Sequence, residues 1–411
     1  MSAFSRAGLE EDAILGVRPG IVHEPSTVEE AGEVLREAAR EGKTLAFVGG
    51  GTDMDLGAPP ARLDAVVRTG RLARIVEHAP SDQIAVVEAG TTLARLQASL
   101  ASHRQRLALD PPLPERKTVG GIVAANAFGP RRARFGSVRD LIIGISFVRA
   151  DGTAARGGGK VVKNVAGFDL PKLMVGSLGT LGLITTATFR LHPLPEEETT
   201  VFFPGRTAAG VRALVAAMRE AQLEPASVVA VSRDGRFDVA VAFEGFRAGV
   251  AEQRERLTRL AGPEAGSACE VLDEAAARSF RDRHDELRTT APLRAKVAAL
   301  PSHIEPIAAD ALPALFGTLV NPGFVWYATL GLGFLSGTPG DPAAAADAIR
   351  AVRARIAALG GSLTLEVAPA DLRTHVDVWG DSPAALSLMR SVKERLDPQR
   401  RLALGRFVGG I

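Results

Sequence analysis

Three glycine-rich segments give this 411-residue sequence its clearest capacity for binding chemistry. The first, Val48-Gly49-Gly50-Gly51-Thr52-Asp53-Met54, follows a short apolar run. Successive glycines accept positive φ angles, so their backbone N–H groups can turn to one side and form a concave site for diphosphate oxygens. A glycine-rich turn that binds nothing is the other interpretation of this segment taken alone. It lacks the spacing of a Rossmann G-x-G-x-x-G motif, and no Walker lysine follows it.

The second segment combines a predicted helix start with small side chains. It contains Pro111-Pro112, then Thr118-Val119-Gly120-Gly121-Ile122-Val123-Ala124-Ala125-Asn126, and then residues 134–140. Thr118 is expected to cap a short helix, whose N-terminal amides and small residues would allow a planar ligand to approach the backbone closely. The same small residues could instead serve only the packing of a helix on a sheet.

The third segment is rich in both glycine and strand-forming residues. It reads Gly159-Lys160-Val161-Val162-Lys163-Asn164-Val165-Ala166-Gly167-Phe168-Asp169-Leu170 and resumes as Gly176-Ser177-Leu178-Gly179-Thr180-Leu181-Gly182-Leu183-Ile184-Thr185. Its backbone N–H and C=O groups could serve an adenine or a ribose. The order of the three segments along the chain is more specific than any one of them, and it predicts that they converge on a single dinucleotide.

The elements that must position these segments follow from hydrophobic periodicity in the first half of the chain. A helix is expected over residues 27–41, with a capping box formed by Ser26 and Glu29, and a second helix is expected from a Thr91 cap to about Ser102. Strands are expected over 44–48, 65–68, 75–77, 84–89, 142–148 and 183–191. This alternation of helices and strands is typical of α/β or α+β structure.

The stretch Pro193-Leu194-Pro195-Glu196-Glu197-Glu198 predicts a domain boundary, because prolines interrupt regular structure and carboxylates favour solvent. Beyond it, helices are expected over 208–221, 248–260, 273–284, 342–359 and 384–396. Strands are expected over 228–232, 238–243, 325–332 and 363–367. The predicted domains are therefore residues 1–195, 196–382 and 383–411.

No residue can be assigned a catalytic role from the sequence, because the seven histidines are scattered. His303-Ile304-Glu305 would place its two polar side chains on one side of an extended strand, which suits a metal. We favour a solvated strand end or a helix cap there, and we predict no metal site. Arg294 and Lys296 could bind a substrate carboxylate or could equally lie on a surface strand.

Composition and missing motifs exclude several classes of function. The 49 basic and 47 acidic residues nearly cancel and form no like-charged block, which argues against nucleic acid as a partner. The single cysteine, Cys269, cannot form an internal disulfide or a C-x-x-C site. Neither a signal peptide nor a spanning helix is indicated, so we expect a cytoplasmic protein, at most peripherally associated with the inner face of the membrane through partners. Hydrolase motifs such as G-x-S-x-G and H-E-x-x-H are absent.

Together, these segments resemble a known flavoprotein family. Residues 44–192 resemble the FAD domain of the vanillyl-alcohol-oxidase type, also called the p-cresol-methylhydroxylase (PCMH) type, and residues 158–182 are most similar to an FAD-binding subunit of bacterial glycolate oxidase. The resemblance implies an α+β fold with a two-subdomain PCMH-type FAD-binding domain. An α/β cap domain with one antiparallel sheet would follow, and a C-terminal segment would return to the FAD domain. Residues 397–406 are similar to the family's terminal Asp-Pro…Asn-Pro-Gly-Arg motif, with Ala403-Leu404 in place of Asn-Pro.

The resemblance also implies which residues bind FAD. The diphosphate would be held by Gly49, Gly50, Gly51, Thr52 and Asp53. The flavin and its ribityl chain would be lined by Thr118, Val119, Gly120, Gly121, Ala124, Gly136 and Ser137, and the adenosine by Gly179, Gly182, Ile184 and Thr185. Thr52 stands where some family members attach FAD covalently through a histidine, so we predict noncovalent FAD.

The function implied by the resemblance is that of an FAD-binding redox subunit in a complex that oxidises glycolate, a 2-hydroxy acid. Its partners would be a larger FAD-containing glycolate oxidase subunit with the substrate site and an iron-sulfur subunit that accepts electrons. The scattered histidines favour this auxiliary role, because related dehydrogenases hold a metal with cap-domain histidines. Two alternatives stay open: a self-sufficient FAD-dependent D-lactate, hydroxy-acid or alcohol dehydrogenase, and a non-catalytic assembly subunit with a degenerate flavin fold.

Overall fold

The computed structural model describes residues 4–161, 167–233, 235–260 and 269–411. Residues 162–166, which belong to the third glycine-rich segment, lie outside this description. Contacts divide the chain into a first unit, Met1–Gly129 with Gly136–Leu194 and Asp381–Ile411, and a second unit, Pro130–Phe135 with Pro195–Gly380. The predicted divisions after residues 195 and 382 fall one and two residues from these limits. The inclusion of Pro130–Phe135 in the second unit has no counterpart in the predicted domains.

Within the described residues, the strands of the first unit form three sheets. In chain order they are β1 (Ser5–Ala7), β2 (Ile21–His23), β3 (Leu45–Val48), β4 (Ala65–Arg68), β5 (Ile75–Ala79), β6 (Ile84–Glu88), β7 (Gln105–Arg106), β8 (Ile142–Val148), β9 (Ala154–Gly158), β10 (Leu183–Arg190) and β11 (His192–Pro193). One sheet has the order β1-β2-β4-β3, with β4 parallel to β2 and β3. The second has the antiparallel order β5-β6-β10-β8-β9, and β7 pairs with β11.

Helices of the first unit connect and cover these sheets. Their bounds are Val28–Arg40, Leu93–Ala101, Val119–Ala125, Val138–Leu141, Leu170–Met174 and Leu386–Leu396, with 3₁₀ turns at Glu10–Asp12, Pro80–Asp82 and Val408–Gly410. The helix Val28–Arg40 buries Ala31, Val34, Leu35 and Ala38, which recur at helical spacing. Their core also takes in Leu402 of the C-terminal tail, so the return of this tail to the first unit follows from apolar burial.

Two predicted helix caps are wrong by one residue. The first helix begins after Thr27, whose side chain accepts a hydrogen bond from the backbone N–H of Glu30. Ser26 donates its backbone N–H and its hydroxyl to Glu30 Oε2, so Glu30 rather than Glu29 closes the turn. Thr92, not Thr91, caps Leu93–Ala101, because the Thr91 hydroxyl is buried and donates to the carbonyl of Arg74.

The second unit is built on one antiparallel sheet. Its strands are β12 (Glu197–Arg206), β13 (Ser227–Arg233), β14 (Arg236–Gly245), β15 (Glu270–Leu272), β16 (Leu293–Ala298), β17 (Leu319–Tyr327), β18 (Leu332–Pro339) and β19 (Ser362–Val367). Their order is β15-β12-β14-β13-β17-β18-β16-β19. The predicted α+β fold with a single antiparallel sheet after the first domain is confirmed.

Helices of the second unit pack against this sheet. Their bounds are Arg132–Phe135, Ala208–Glu220, Arg247–Leu260, Glu274–Thr289, Ile304–Pro306, Leu312–Phe316, Pro342–Ala358 and Ala370–His375, with a 3₁₀ turn at Pro301–His303 and a π turn at Ile307–Ala311. Side chains from alternate strand positions, such as Val228 and Ala230, join Ile349 and Val352 of a helix in one core. The intervening positions point to the other side of the sheet.

One predicted strand of the second unit is wrong, and the extended arrangement considered for His303 and Glu305 does not occur. Residues 325–332 do not form one strand, because the chain turns at Gly331, where φ is +67° and a Cβ would lie 1.9 Å from the carbonyl oxygen of Ala299. His303 is the N-cap residue of the helix Ile304–Pro306, in agreement with the favoured alternative of a helix cap, and Glu305 lies within that helix. They lie in consecutive helical turns that begin at Pro301, a residue favoured at the first position of a helix.

Candidate functional site

Parts of all three glycine-rich segments line one cavity in the first unit, which we call the glycine-lined cavity; of the third segment's described residues, only those after Gly176 contribute. The empty space that it encloses, including the part open to solvent, is about 800 Å³. The predicted cofactor residues in its walls are Gly49, Gly50, Gly51, Thr52, Asp53, Thr118, Gly120, Gly121, Ala124, Gly179, Gly182 and Ile184. The structure therefore places these parts of the sequence around a common space.

Four predicted cofactor residues are not among those that line this cavity: Val119, Gly136, Ser137 and Thr185. Ser137 caps the helix Val138–Leu141 and donates its hydroxyl to Asp140 Oδ2 at 2.9 Å. The Thr185 hydroxyl donates to the carbonyl of Ser146 at 3.1 Å, and the side chain is buried. These side chains are engaged in local hydrogen bonds, and Val119 is buried in the core.

The loop Gly49–Asp53 forms part of the cavity wall. No acceptor for these N–H groups occurs among the residues that the structure describes, although the neighbouring amide of Thr69 donates to the carbonyl of Val48 at 3.0 Å. Gly51 has a φ of +72°, which turns the chain after β3. Backbone N–H groups aimed at a cavity form the type of concave site that binds phosphate oxygens.

Glycine at positions 49 and 50 also permits close packing against the second segment. A Cβ on Gly50 would lie 1.7 Å from the carbonyl oxygen of Arg116, and a Cβ on Gly49 would lie 2.1 Å from Thr118 Oγ1. Both distances are shorter than any van der Waals contact. A packing role and a ligand-binding role are therefore compatible for this segment, because the close approach places the loop beside Thr118.

A buried ion pair that the sequence analysis missed joins the first two segments. Lys117 Nζ donates to Asp53 Oδ1 and Oδ2 at 2.7 and 2.6 Å and to Thr52 Oγ1 at 3.2 Å. Lys117 is buried, whereas Asp53 is partly exposed and lines the cavity. In the sequence, the one sign that Lys117 lies near the predicted site is its position directly before the predicted helix cap Thr118.

The second segment contributes small side chains to the cavity wall, and its first helical N–H groups already have acceptors within the protein. Thr118 caps Val119–Ala125, as predicted, and its side chain accepts a hydrogen bond from the N–H of Gly121. The N–H groups of Val119 and Gly120 donate to the carbonyls of Thr91 and Ala89. Because these amides have acceptors inside the protein, this wall offers a ligand an apolar, close-packed surface.

The third segment is fixed to the second by backbone hydrogen bonds. The N–H of Leu178 donates to the carbonyl of Ala124 at 2.9 Å, and that of Gly176 donates to the carbonyl of Val123 at 2.9 Å. Gly179 has a φ of +73°, and a Cβ there would lie 3.1 Å from the ring of Phe47, another residue of the cavity wall. This bend brings the third segment to the cavity.

The C-terminal tail supplies a fourth wall. Ala403 and Arg406 line the cavity, and Arg406 Nη2 donates to the carbonyls of Met54 and Leu56, both at 2.8 Å. The tail runs beside β3, where the N–H of Ala403 donates to the carbonyl of Leu45 at 2.7 Å. The tail motif is visible in the sequence, but none of its residues was predicted to belong to the cofactor site.

A buried lysine anchors this tail. Lys393 Nζ donates to Asp397 Oδ2 at 2.7 Å and to the carbonyls of Thr180 and Leu402, each at 2.8 Å. Burial lowers the pKa of Lys393, while Asp397 opposes that shift. The lysine thereby ties the helix Leu386–Leu396 both to the third segment and to the residue before Ala403.

The second unit contains a polar network that no sequence motif indicated. His284 Nε2 lies 2.8 Å from the Tyr327 hydroxyl, and His284 Nδ1 lies 2.8 Å from Asp285 Oδ1. Arg288 Nη1 donates to the same hydroxyl at 2.7 Å, and its guanidinium lies 3.9 Å from the centre of the Phe334 ring. The helix Glu274–Thr289 and the strands β17 and β18 supply these residues.

Burial also decides the proton positions in this network. It lowers the pKa of His284, an effect that Asp285 opposes, so the ring is neutral at neutral pH. A neutral ring beside a carboxylate carries its proton on Nδ1, which donates to Asp285. Tyr327 therefore donates its hydroxyl proton to His284 Nε2 and accepts a hydrogen bond from Arg288.

The residue pairs considered for metal or substrate binding are placed as follows. Glu305 pairs with Arg212, with 3.3 Å between Oε2 and Nε, and no three potential metal ligands come together within the described ranges. Arg294 and Lys296 lie on β16, at positions that alternate with the core residues Leu293 and Ala295. Both point away from that core.

Comparison with known proteins identifies the first domain and the fold. Residues 19–158 match the family described as FAD binding domain, so the chain carries a domain of this class. Over 94% of the chain, the fold matches p-cresol methylhydroxylase, with a TM-score of 0.74, 15% identity and 88% of that chain covered. Alkyldihydroxyacetonephosphate synthase matches over 94% of this chain and 77% of its own, with a TM-score of 0.74 and 18% identity.

Sequence relatives match less than half of the chain. The D-lactate dehydrogenase of Archaeoglobus fulgidus is 36% identical over 185 residues, which cover 45% of this chain and 41% of that protein. Glycolate oxidase subunit GlcE of Escherichia coli is 34% identical over 194 residues, which cover 47% of this chain and 54% of that protein. The chain thus spans about half the length of these relatives.

The glycine-lined cavity fits the cofactor of this domain class. FAD needs donors for a diphosphate, a narrow apolar wall for its ring and room between the two. The loop Gly49–Asp53 offers N–H groups, and Gly121 and Ala124 offer a wall of small residues.

Among the described residues, no helix combines the length and apolar character needed to cross a bilayer.

Proposed function

We propose that the chain is the FAD-binding redox subunit of a complex that oxidises glycolate, or a closely related 2-hydroxy acid, to the corresponding 2-oxo acid. The observation that carries this proposal is the loop Gly49–Asp53 in the wall of the glycine-lined cavity, whose N–H groups have no acceptor within the described part of the chain and which lies within the matched FAD binding domain. The names of two relatives, glycolate oxidase subunit GlcE and D-lactate dehydrogenase, support a 2-hydroxy acid as substrate.

Each wall of the cavity has a role in this proposal. The amides of Gly49–Asp53 would bind the diphosphate of FAD, while Thr118, Gly121 and Ala124 would line the flavin and its ribityl chain. Gly179, Gly182 and Ile184 would lie by the adenosine. Val119, Gly136, Ser137 and Thr185 would support these walls from outside the cavity. Bound FAD supplies the two-electron acceptor that oxidation of an alcohol carbon requires.

The partners in this proposal are a larger FAD-containing subunit with the substrate site and an iron-sulfur subunit. Glycolate loses two electrons and two protons in becoming glyoxylate, and the electrons would leave through these partners. The test is expression of the chain with its genomic neighbours, followed by purification through a tag on this chain. We expect a complex that carries flavin and iron and reduces a dye with glycolate, whereas the chain alone reduces the dye negligibly.

A second candidate, a self-sufficient 2-hydroxy-acid dehydrogenase, is favoured by the network in the second unit. Arg288 would hold the substrate carboxylate. Neutral His284 would accept the proton of a substrate hydroxyl through Tyr327. The hydroxyl of Tyr327 would give up its own proton to His284 as it receives the substrate's.

Dye reduction by the purified chain separates the two candidates. Substantial turnover of glycolate or D-lactate by the chain alone would support the self-sufficient enzyme. Tyr327→Phe would then lower kcat by about a hundredfold or more, as expected for removal of a general acid–base group. Turnover that appears only with the partner subunits, and survives Tyr327→Phe in this chain, supports the auxiliary role.

A further inference from the structure

We propose that His78 and His103, in the first unit, form a two-histidine site for a divalent transition-metal ion such as Zn²⁺ or Cu²⁺. His78 belongs to β5, and His103 lies between the helix Leu93–Ala101 and β7. Their ring centres are 4.9 Å apart, and the ring planes are nearly perpendicular, at 85°. Neither residue lines the glycine-lined cavity, so the inference goes beyond the proposed function and does not depend on FAD.

The tautomer of His78 is fixed by Gln105. The side-chain amide of Gln105 donates from Nε2 to the carbonyl of Pro80 at 2.7 Å, which sets the orientation of the amide group. Its oxygen, Oε1, lies 2.9 Å from His78 Nε2 and can only accept a hydrogen bond. In the neutral ring, the proton of His78 is therefore on Nε2, and Nδ1 keeps a free electron pair. This Nδ1 has no hydrogen-bond partner within the described residues and is open to solvent.

The tautomer of His103 is fixed in the same way by Ser102. The Ser102 hydroxyl donates its proton to the carbonyl of Ser99 at 2.7 Å. The same hydroxyl oxygen lies 3.0 Å from His103 Nδ1 and, having no second proton, accepts a hydrogen bond from that nitrogen. The proton of neutral His103 is therefore on Nδ1, and Nε2 keeps a free electron pair. His103 is exposed, so a solvated ion can reach it.

These two rings have the properties of metal ligands. A histidine that binds a metal donates one ring N–H to a fixed acceptor, while its other nitrogen binds the ion. With metal–nitrogen bonds of about 2.0–2.1 Å and bond angles of about 90–109°, two imidazole rings on one ion have centres about 4.5–5.2 Å apart. The separation of 4.9 Å lies within that range. Imidazole suits both zinc and copper(II), and copper(II) is expected to bind more tightly.

Water completes the coordination in this proposal. No group of three potential metal ligands occurs in the described part of the chain, so water molecules would fill the remaining positions. From the sequence no metal site was predicted, because nothing in the spacing of residues 78 and 103 links them. A bound ion would join β5 to the segment that follows the helix Leu93–Ala101, and it would stabilise the folded first unit by mass action.

The test is titration calorimetry of the chain with ZnCl₂, after metal has been removed with a chelator and without a polyhistidine tag. We expect one zinc site per chain that is tighter than any other. His103→Gln and His78→Gln should each weaken this site by about tenfold or more, because the ion loses one of its two protein ligands. The double variant should bind within about threefold of either single variant, since one loss already breaks the shared site.

Ser102→Ala tests the fixed tautomer without removing a ligand. Outer partners of metal-binding histidines change metal affinity by about 10–100-fold, so this variant should weaken zinc binding by about tenfold. Electron paramagnetic resonance with one equivalent of CuSO₄ counts the ligands directly. We expect coupling to two nitrogens in the wild type and to one in His103→Gln.

His375→Gln is the matched control, because His375 is also exposed but belongs to the second unit. Its zinc affinity should stay within about twofold of the wild type, since it lies far along the chain from both ligands and shares no partner with them. Zinc should raise the melting temperature of the wild type and of His375→Gln, but not that of the double variant.

Three results would overturn the inference. One is zinc binding by His103→Gln as tight as that of the wild type. Another is copper coupled to a single nitrogen in the wild type. The third is additive losses in the two histidine variants, which would mean two separate weak sites. An unchanged zinc affinity in Ser102→Ala would contradict the role of the fixed tautomer.

Discussion

Lys117 Nζ lies 2.7 and 2.6 Å from the two carboxylate oxygens of Asp53, a residue 64 positions earlier in the chain. This pair joins the glycine loop after β3 to the residue before the helix cap Thr118. It also neutralises the carboxylate that faces the glycine-lined cavity. An anionic ligand can then approach the loop amides without repulsion from Asp53.

Lys117→Met is therefore expected to weaken FAD binding by about tenfold, because an uncompensated carboxylate would face the diphosphate. Asp53→Asn combined with Lys117→Met should recover most of the lost affinity, since no charge remains to repel the ligand. Flavin fluorescence titration of the apoproteins measures both effects. A double variant as weak as the single one would show that the pair acts through folding of the loop and not through its charge.

Gly50→Ala is expected to destabilise the first unit by roughly 1–3 kcal/mol and to reduce FAD affinity, because the added methyl group overlaps the carbonyl of Arg116. Gly70→Ala is the control, since a Cβ there meets nothing within 4 Å. Urea unfolding compares the two variants with the wild type. An unchanged free energy of unfolding for Gly50→Ala would contradict the close approach of the two segments.

The His284 network predicts a pH dependence of stability. Burial lowers the folded-state pKa of His284, so its contribution to the free energy of unfolding is complete above the ordinary histidine pKa of about 6.5. That contribution is lost as the pH falls toward the lower folded pKa, because the unfolded chain then binds a proton that the folded chain does not. Asp285 is in direct contact with the His284 ring, and Arg288 is in direct contact with the Tyr327 hydroxyl.

Urea unfolding at about pH 7.5 and about pH 5.5, on either side of that ordinary pKa, measures the effect. The wild type should lose more stability at the lower pH than His284→Gln. His103→Gln, which changes an exposed ring, should behave like the wild type. Equal losses in the wild type and in His284→Gln would show that the buried ring does not control this difference.

Thr52 predicts noncovalent attachment of the flavin, because a threonine hydroxyl stands where a histidine would carry the covalent bond. In the structure this hydroxyl donates to Asp53 Oδ2 at 2.9 Å. Acid precipitation of the purified protein should leave the yellow flavin in the supernatant. Flavin retained on the precipitated polypeptide would contradict the prediction.

Local patterns made much of the fold predictable. The strands Ala65–Arg68 and Ile142–Val148 have the predicted bounds, because their uninterrupted apolar and β-branched residues suit buried strands. Thr118 caps the helix that its sequence indicates. Errors of one residue occurred where two adjacent residues could both cap, as with Thr91 and Thr92, since tertiary contacts decide which hydroxyl is free.

The convergence of the three glycine-rich segments was predictable only from their order along the chain. The charged groups around these segments could not be predicted from the sequence. Lys117 and Asp53 are 64 positions apart, and Arg406 reaches the loop from the end of the chain. The network of His284 and Tyr327 joins a helix to a strand 43 positions later. No periodicity links such residues, because only the tertiary fold brings them together.

A crystal structure of the chain grown with FAD tests the central claim most directly. We predict one FAD in the glycine-lined cavity, with diphosphate oxygens accepting hydrogen bonds from the backbone N–H groups of Gly49–Asp53 and the flavin beside Gly121 and Ala124. FAD bound elsewhere on the first unit, or a cavity that stays closed to FAD at saturating concentration, would contradict the account.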